Sequence, residues 1–215
     1  MKFQAAIFDM DGLLLDTERV CMQVFQQACE AVSQPFFKET YLQIIGRNAA
    51  GIDQVLRATY GDNLNIIHQE WRSRYEAVVM HQAIPVKTGV VDMLDWLSEQ
   101  NIPLAVATST AKPVAEVKLR LAGLDGYFSN ITTGCEVSQG KPDPEIYLLA
   151  AQRLGVEAHS CLAFEDSNNG VKAAVAANMI TLQIPDLVEP CQEVLAFGHA
   201  IHADMSAALH SLQRQ

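Results

Sequence analysis

The sequence predicts an α/β protein, a doubly wound parallel sheet carrying an inserted all-helical segment, and three observations lead there. Short, wholly apolar runs recur along the chain, as strands buried on both faces do. Helical patterns separate these runs over the C-terminal part, and such alternation builds a parallel sheet. The first run, by contrast, is followed from Thr17 to about His81 by helix-spaced apolar residues with no convincing strand.

The first strand is expected over Gln4 to Phe8, where an apolar run stops at Asp9. The inserted segment comes next, its helical spacing visible in Val20, Val24 and Ala28, in Val55, Leu56 and Tyr60, and in Trp71, Tyr75 and Val78. Further strands are expected at Pro103 to Thr108, Ser129 to Thr133, Ser160 to Phe164 and Ile180 to Ile184, with helices over Val90 to Gln100, Lys112 to Ala122, Pro144 to Leu154 and Gly170 to Ala177. The chain is therefore read as a core of residues 1–15 and 83–215, with a helical insertion of residues 16–82. Folded over the carboxyl ends of the strands, that insertion would cover the place where open α/β sheets bind ligands.

Composition narrows the function. A chain of 215 residues with 49% hydrophobic and 19% charged residues has enough apolar material for a sizeable core, which excludes disorder and coiled coil. Its longest stretch free of charged residues, Ala173 to Pro185, falls short of the ~18 apolar residues a spanning helix needs, so no membrane partner is expected. Asp9 and Asp11 would interrupt any secretory hydrophobic region, and the expected location is the cytoplasm. Five cysteines, odd in number and without a C-x-x-C pair, suit reduced thiols. A net charge of −10 argues against nucleic acid but leaves room for a small anion held by a few local cations. None of the six histidines shows convincing zinc-ligand spacing.

Four polar clusters fall where the strands end. Phe8-Asp9-Met10-Asp11-Gly12 sets two carboxylates at i and i+2 just beyond a buried strand, so both can point to one side. A calcium loop starting at Asp9 would need Gly at 14 and Glu at 20, where the chain has Leu14 and Val20. Ala107-Thr108-Ser109-Thr110 offers hydroxyls and amides that can cap a helix or hold an anion. Gly140-Lys141-Pro142-Asp143-Pro144 holds a lysine in a Pro-rich turn. Phe164-Glu165-Asp166-Ser167 puts adjacent acids at the end of a buried run, costly without a cation.

Together the segments DMDGLLLDTE, ATST, GKPDPEIY and FEDSNNG, in this order and spacing, resemble the haloacid dehalogenase superfamily over nearly the whole chain. Within it the chain resembles the branch of sugar phosphatases, phosphoglycolate phosphatases and β-phosphoglucomutases, with its Rossmann-like core and helical type 1 cap. The resemblance implies a magnesium-dependent phosphatase of a small phosphorylated metabolite, as a monomer or small homo-oligomer. Asp9 would be the nucleophile forming an aspartyl phosphate, Asp11 the acid and base, and Lys141 a catalytic and phosphate-binding cation. Thr108 and Ser109 would bind the phosphoryl oxygens. Mg²⁺ would be held by Asp9, the Asp11 carbonyl, Asp166 and Glu165, the last directly or through water. In the cap, Glu18 and Arg47 would face the substrate.

Two other readings share this chemistry. A phosphosugar mutase of the β-phosphoglucomutase type would return the phosphoryl group to a sugar, but Cys21 and Ala77 stand where the resemblance associates a histidine and a lysine with that control. A signalling receiver domain also gathers acids, Thr or Ser and Lys at strand ends, yet lacks the helical insertion and the second acid of the D-x-D motif.

Overall fold

The structure is a computed structural model that describes residues 3–45 and 49–214. Six parallel strands form one sheet in the order β3-β2-β1-β4-β5-β6: β1 (Ala5–Phe8), β2 (Leu104–Thr108), β3 (Asn130–Thr133), β4 (Cys161–Glu165), β5 (Ile180–Gln183) and β6 (Ala200–Ile201). The order runs outward from β1 to β3 and then returns to β4 on the other side of β1. The topological switch point therefore lies between the carboxyl ends of β1 and β4, where crossover connections diverge and leave a crevice.

Strand periodicity accounts for the apolar runs. In β1, Ala6 and Phe8 enter one core cluster and Ala5 and Ile7 the other, and β2 and β4 alternate in the same way. On the first face the residues are large, with Phe8 stacked on Phe164 at 4.4 Å, and they pack against α5 (Val90–Glu99), α6 (Lys112–Leu121) and α10 (Met205–Gln213). The second face is built largely from alanine (Ala5, Ala105, Ala107, Ala163), which lets α7 (Glu145–Leu154) and α8 (Asn168–Ala176) approach closely. Both faces being covered, no polar residue is tolerated along the central strands until they end.

Between β1 and α5 the chain forms α1 (Thr17–Ala31), α2 (Lys38–Leu42), α3 (Ala49–Tyr60) and α4 (Leu64–His81). These helices have their own apolar cluster, centred on Phe25 with Tyr41, Leu56, Tyr60 and Ile67 around it. Trp71 packs edge-on to Phe25 at 4.9 Å.

Within the expected elements the differences from the sequence pattern sit at the ends, while β6 and α10 are whole elements outside those expectations. Glu165 is the last residue of β4 and pairs with Gln183, so it lies inside the sheet and not beyond it. The expected helix at Gly170 starts two residues earlier because Ser167 caps it, its side chain accepting from the Gly170 amide. The two-residue strand β6 has exposed residues and no apolar run to announce it. Among the described residues, no helix is long and apolar enough to cross a membrane.

Candidate functional site

Strand parity distributes the polar residues that follow β1, β2 and β4. Phe8 and Phe164 face the α5/α6 side, so Asp9 and Glu165, one residue later, face the α7/α8 side. Thr108 follows Ala107 and faces the α5/α6 side. The crevice is thus built of two halves that meet at its centre.

On the α7/α8 side a single ammonium gathers the acids. Lys141 Nζ donates to Asp9 Oδ1 at 2.5 Å, to Glu165 Oε1 at 2.6 Å and to the Ala107 carbonyl at 2.9 Å, which engages all three of its protons. The Tyr147 hydroxyl, from α7, donates to the same Glu165 oxygen at 2.6 Å. Ser167 Oγ donates to the other, Oε2, at 3.2 Å. Glu165 is fully buried, and Gly170 passes so close that a Cβ there would collide with its carboxylate.

The turn after β1 brings the remaining acid close. Met10 O accepts the amides of Leu14 and Leu15, and Gly12 adopts φ +88°, a conformation available to glycine without strain. A Cβ at Gly12 would run into the Asp166 carboxylate. Ligand oxygens of Asp9, Glu165 and Asp166 lie within 4.8 Å of one another, a purely oxygen donor set that suits a hard divalent cation.

Electrostatics show what the cluster needs. Burial pushes the Asp9 carboxyl up to about 7; Lys141 opposes the rise, while Glu165 and Asp11 add to it. Burial also raises Asp166 well above the carboxylate range, with Asp9 and Glu165 repelling it further. For Lys141, burial alone would lower the pKa, but Asp9 and Glu165 more than reverse that and hold it above the usual lysine value. One ammonium does not balance three converging carboxylates.

On the α5/α6 side, Thr108 Oγ1 accepts from the Thr110 amide at 3.1 Å and donates to Asp11 Oδ2 at 3.4 Å. Thr110 Oγ1 donates to the same Asp11 oxygen at 2.6 Å. Lys118 Nζ, from α6, donates to Asp11 Oδ1 at 2.8 Å. The crevice opens into a pocket of about 410 Å³ lined by Asp9, Asp11, Glu18, Thr108, Ser109, Lys141, Asp166 and Asp186, with Ile45, Leu187 and Val188 along its outer wall. Five of these side chains are carboxylates, and Lys141 is the one cation among the described lining residues. Burial raises the pKa of Glu18 as well, with Asp11 and Asp186 pushing in the same direction.

Every motif residue singled out from the sequence therefore converges on one pocket, except two. Glu165 sits behind the pocket wall, against Asp9 and Lys141. Arg47 lies outside the described residues. Sequence reasoning missed Lys118 and Asp186, and it gave no role of their own to Thr110 and Tyr147, which stand inside the ATST and GKPDPEIY segments. Lys118 carried a readable signal: it shares the α6 stripe with Ala115 and Leu119, where a lysine is out of place. Tyr147 closes the GKPDPEIY segment, but the apolar residues that follow it in α7 made it read as a core tyrosine.

Comparison with known proteins agrees with this geometry. The family model for haloacid dehalogenase-like hydrolases matches residues 3–178. A phosphorylated carbohydrates phosphatase of Thermotoga maritima is 34% identical over 182 residues, 82% of each chain. Fructose-1-phosphate phosphatase YqaB of Escherichia coli is 29% identical over 187 residues, 85% of this chain and 97% of its own. Among solved structures, CbbY of Rhodobacter sphaeroides in complex with phosphate superposes with a TM-score of 0.75 at 28% identity, covering 95% of each chain. With an acidic crevice at the switch point of a doubly wound sheet and a family match over most of its length, the chain belongs to the haloacid dehalogenase-like hydrolases.

Proposed function

We propose that this hydrolase is a phosphatase of small phosphate monoesters, sugar phosphates foremost, acting through a phosphoryl group carried on Asp9. The observation that carries this reading is the Asp9 carboxylate itself, at the switch point, its Oδ1 held by Lys141 and its ligand oxygen within 4.8 Å of Glu165 and Asp166. The relatives named as carbohydrate and fructose 1-phosphate phosphatases supply the substrate class.

The residues divide the work. Asp9 attacks phosphorus in line, replacing one difficult displacement by water with two easier ones. Thr108 and the amides from Ser109 onward, lining the same pocket as Lys141, hold the phosphoryl oxygens. Asp11, one step along the same turn, gives a proton to the leaving alcohol and later takes one from the attacking water, help worth about 10²–10⁴ in rate. Lys141 keeps Asp9 and Glu165 in register and counters their charge. Asp9, Asp166 and the Asp11 carbonyl would hold Mg²⁺, with Glu165, already engaged by Lys141, Tyr147 and Ser167, behind them. When bound, the ion offsets the repulsion between the carboxylates and a dianionic ester. Residues 16–82 would act as the lid, with Glu18, which lines the pocket, facing the substrate's alcohol portion, where a carboxyl can bond hydroxyl groups.

Hydrolysis is favoured over phosphoryl return to a sugar. Ala77 is exposed on α4, and Cys21 sits half-buried beside Tyr41, so neither supplies the imidazole or ammonium expected of a mutase lid. The test is a panel of hexose, pentose and triose phosphates, assayed for inorganic phosphate with MgCl₂ and with EDTA. Magnesium-dependent release, with acid-quenched mass spectrometry finding phosphate on the Asp9 peptide, is expected. Undiminished release in EDTA, or isomerised sugar phosphate as the dominant product, overturns the reading.

A further inference from the structure

Lys118 is among the least exposed charged side chains in the molecule, at 2% exposure, and belongs to none of the four motifs. Burying an ammonium is costly unless it is paired. It meets two partners from different layers: Asp11 Oδ1 at 2.8 Å and the Tyr75 hydroxyl of α4 at 3.1 Å. Its charge also lies 5.5 Å from the centre of the Tyr75 ring. One desolvated cation therefore ties the acid that follows β1 to the inserted helices.

The chemistry of the donors separates the two Asp11 oxygens. A lysine ammonium only donates, so Oδ1 is an acceptor whenever Lys118 faces it. The partners of Oδ2 are the hydroxyls of Thr110 at 2.6 Å and Thr108 at 3.4 Å, and a hydroxyl can donate or accept. Only Oδ2 can gain and lose a proton without leaving a donor facing a donor. It also lies on the side of the Thr108 turn, and Thr108 lines the pocket.

We propose that Lys118 is a positioning residue for Asp11, pinning Oδ1 so that Oδ2 carries the exchanged proton, with Tyr75 tying that register to the helical layer. The proposal rests on the phosphatase reading above. In the first half-reaction an Asp9 oxygen bonds to phosphorus as the ester P–O bond breaks, and the proton on Oδ2 goes to the leaving alkoxide oxygen. In the second, the oxygen of water bonds to phosphorus, its proton passes to Oδ2, and the bond from Asp9 to phosphorus breaks. The sum is ester plus water giving alcohol plus phosphate.

The experiment is single-turnover phosphorylation of Asp9, followed by rapid quench, with two esters. The first is p-nitrophenyl phosphate, whose leaving group departs as an anion without help. The second is the hexose phosphate turned over fastest in the panel, whose alkoxide must be protonated. Lys118→Met is expected to slow the hexose phosphate step by about 10²-fold, as misplacement of a catalytic group does, while p-nitrophenyl phosphate stays within about twofold. Tyr75→Phe should lose a smaller factor with the same selectivity, and Lys118→Arg, which keeps the charge, should recover much of the loss. Equal losses with both esters, or full rates with both, overturn the positioning role. If Lys118→Met does not fold, Tyr75→Phe and Lys118→Arg carry the test by the same criterion: selective loss supports the role, and equal or absent loss overturns it. A wild-type protein that places no phosphate on Asp9 from either ester refutes the phosphatase reading and the proposal with it, before any variant is compared.

Discussion

Single side chains at this site are constrained from more than one direction. Asp9 follows a buried strand, receives Lys141 on one oxygen and has its pKa raised by burial. Asp9→Asn keeps the size and removes the proposed nucleophile, so turnover and the phosphorylated Asp9 peptide should both vanish while the thermal midpoint holds or rises, since one of the crowded carboxylates is gone. Phosphate release by this variant at near wild-type rate would refute the role. Gly12 is constrained by space and by conformation, because its φ of +88° is strained for other residues and a Cβ would meet Asp166. Gly12→Ala should cost about 1–3 kcal/mol in urea unfolding and weaken magnesium binding. Unchanged unfolding and binding would show that the turn can relax. Of the residue-level features, the acids were legible because acids beside an apolar run stand out. The partners of Lys118 and Tyr147 were not, since they lie far along the chain, 107 residues away for Lys118 and Asp11 and 18 for Tyr147 and Glu165.

At the scale of elements, short polar connections hold strands and helices in register. The turn after β3 is a capping box in which Glu136 accepts from the Thr133 amide and hydroxyl, and Arg153 of α7 bonds to its other oxygen at 2.9 Å. Arg153 is the largest influence on the Glu136 carboxyl, which is held down at about 2. A depressed carboxyl contributes stability that is complete above its ordinary value of about 4.5 and is lost as pH falls toward 2. Glu136→Gln should therefore destabilise by about 1 kcal/mol at neutral pH, and the gap to wild type should close between about pH 5 and pH 2. A gap independent of pH in urea titrations would mean that the charge plays no part. Strands β1 to β5 and helices α5 to α8 were legible as runs and periods, whereas α10 was not among the expected helices and β6 left no pattern, being two exposed residues at a sheet edge.

At the scale of the whole molecule, Asp186 stands at a junction between the sheet and the inserted helices. Its side chain, 3% exposed, accepts from Arg19 of α1 at 2.7 Å and from Lys87, shortly before α5, so both chain crossings are fastened to the segment that follows β5. Asp186→Ala should cost about 1–3 kcal/mol through the donors it strands, and should speed proteolysis near residues 82–89. An unchanged cleavage pattern would show that the crossings are held by packing alone. The acidic crevice makes a second prediction at this scale. On the proposed function magnesium would bind the folded state and not the unfolded chain, so at about 100 times its dissociation constant it should stabilise by about 2.7 kcal/mol, visible as a rise in thermal midpoint. Asp166→Asn should abolish most of that rise, and a rise of the same size would place the ion elsewhere.

The sequence by itself determined the class of fold, the helical insertion after the first strand and the residues that end the central strands, because buried strands and amphipathic helices impose periods of two and 3.6 on a single chain. It also marked Asp9, Asp11, Thr108, Lys141, Glu165 and Asp166 as candidates for the site, with Glu165 and Asp166 costly to bury without a cation. The tertiary structure decided which of them meet. Strand parity sent Asp9 and Glu165 to one side and Thr108 to the other, Lys141 turned all three of its protons on protein oxygens, and a lysine from α6 took one oxygen of Asp11. Such pairings follow from the sheet order and from which helix covers which face, and these arise from the burial of both faces at once, which no local pattern in the chain encodes.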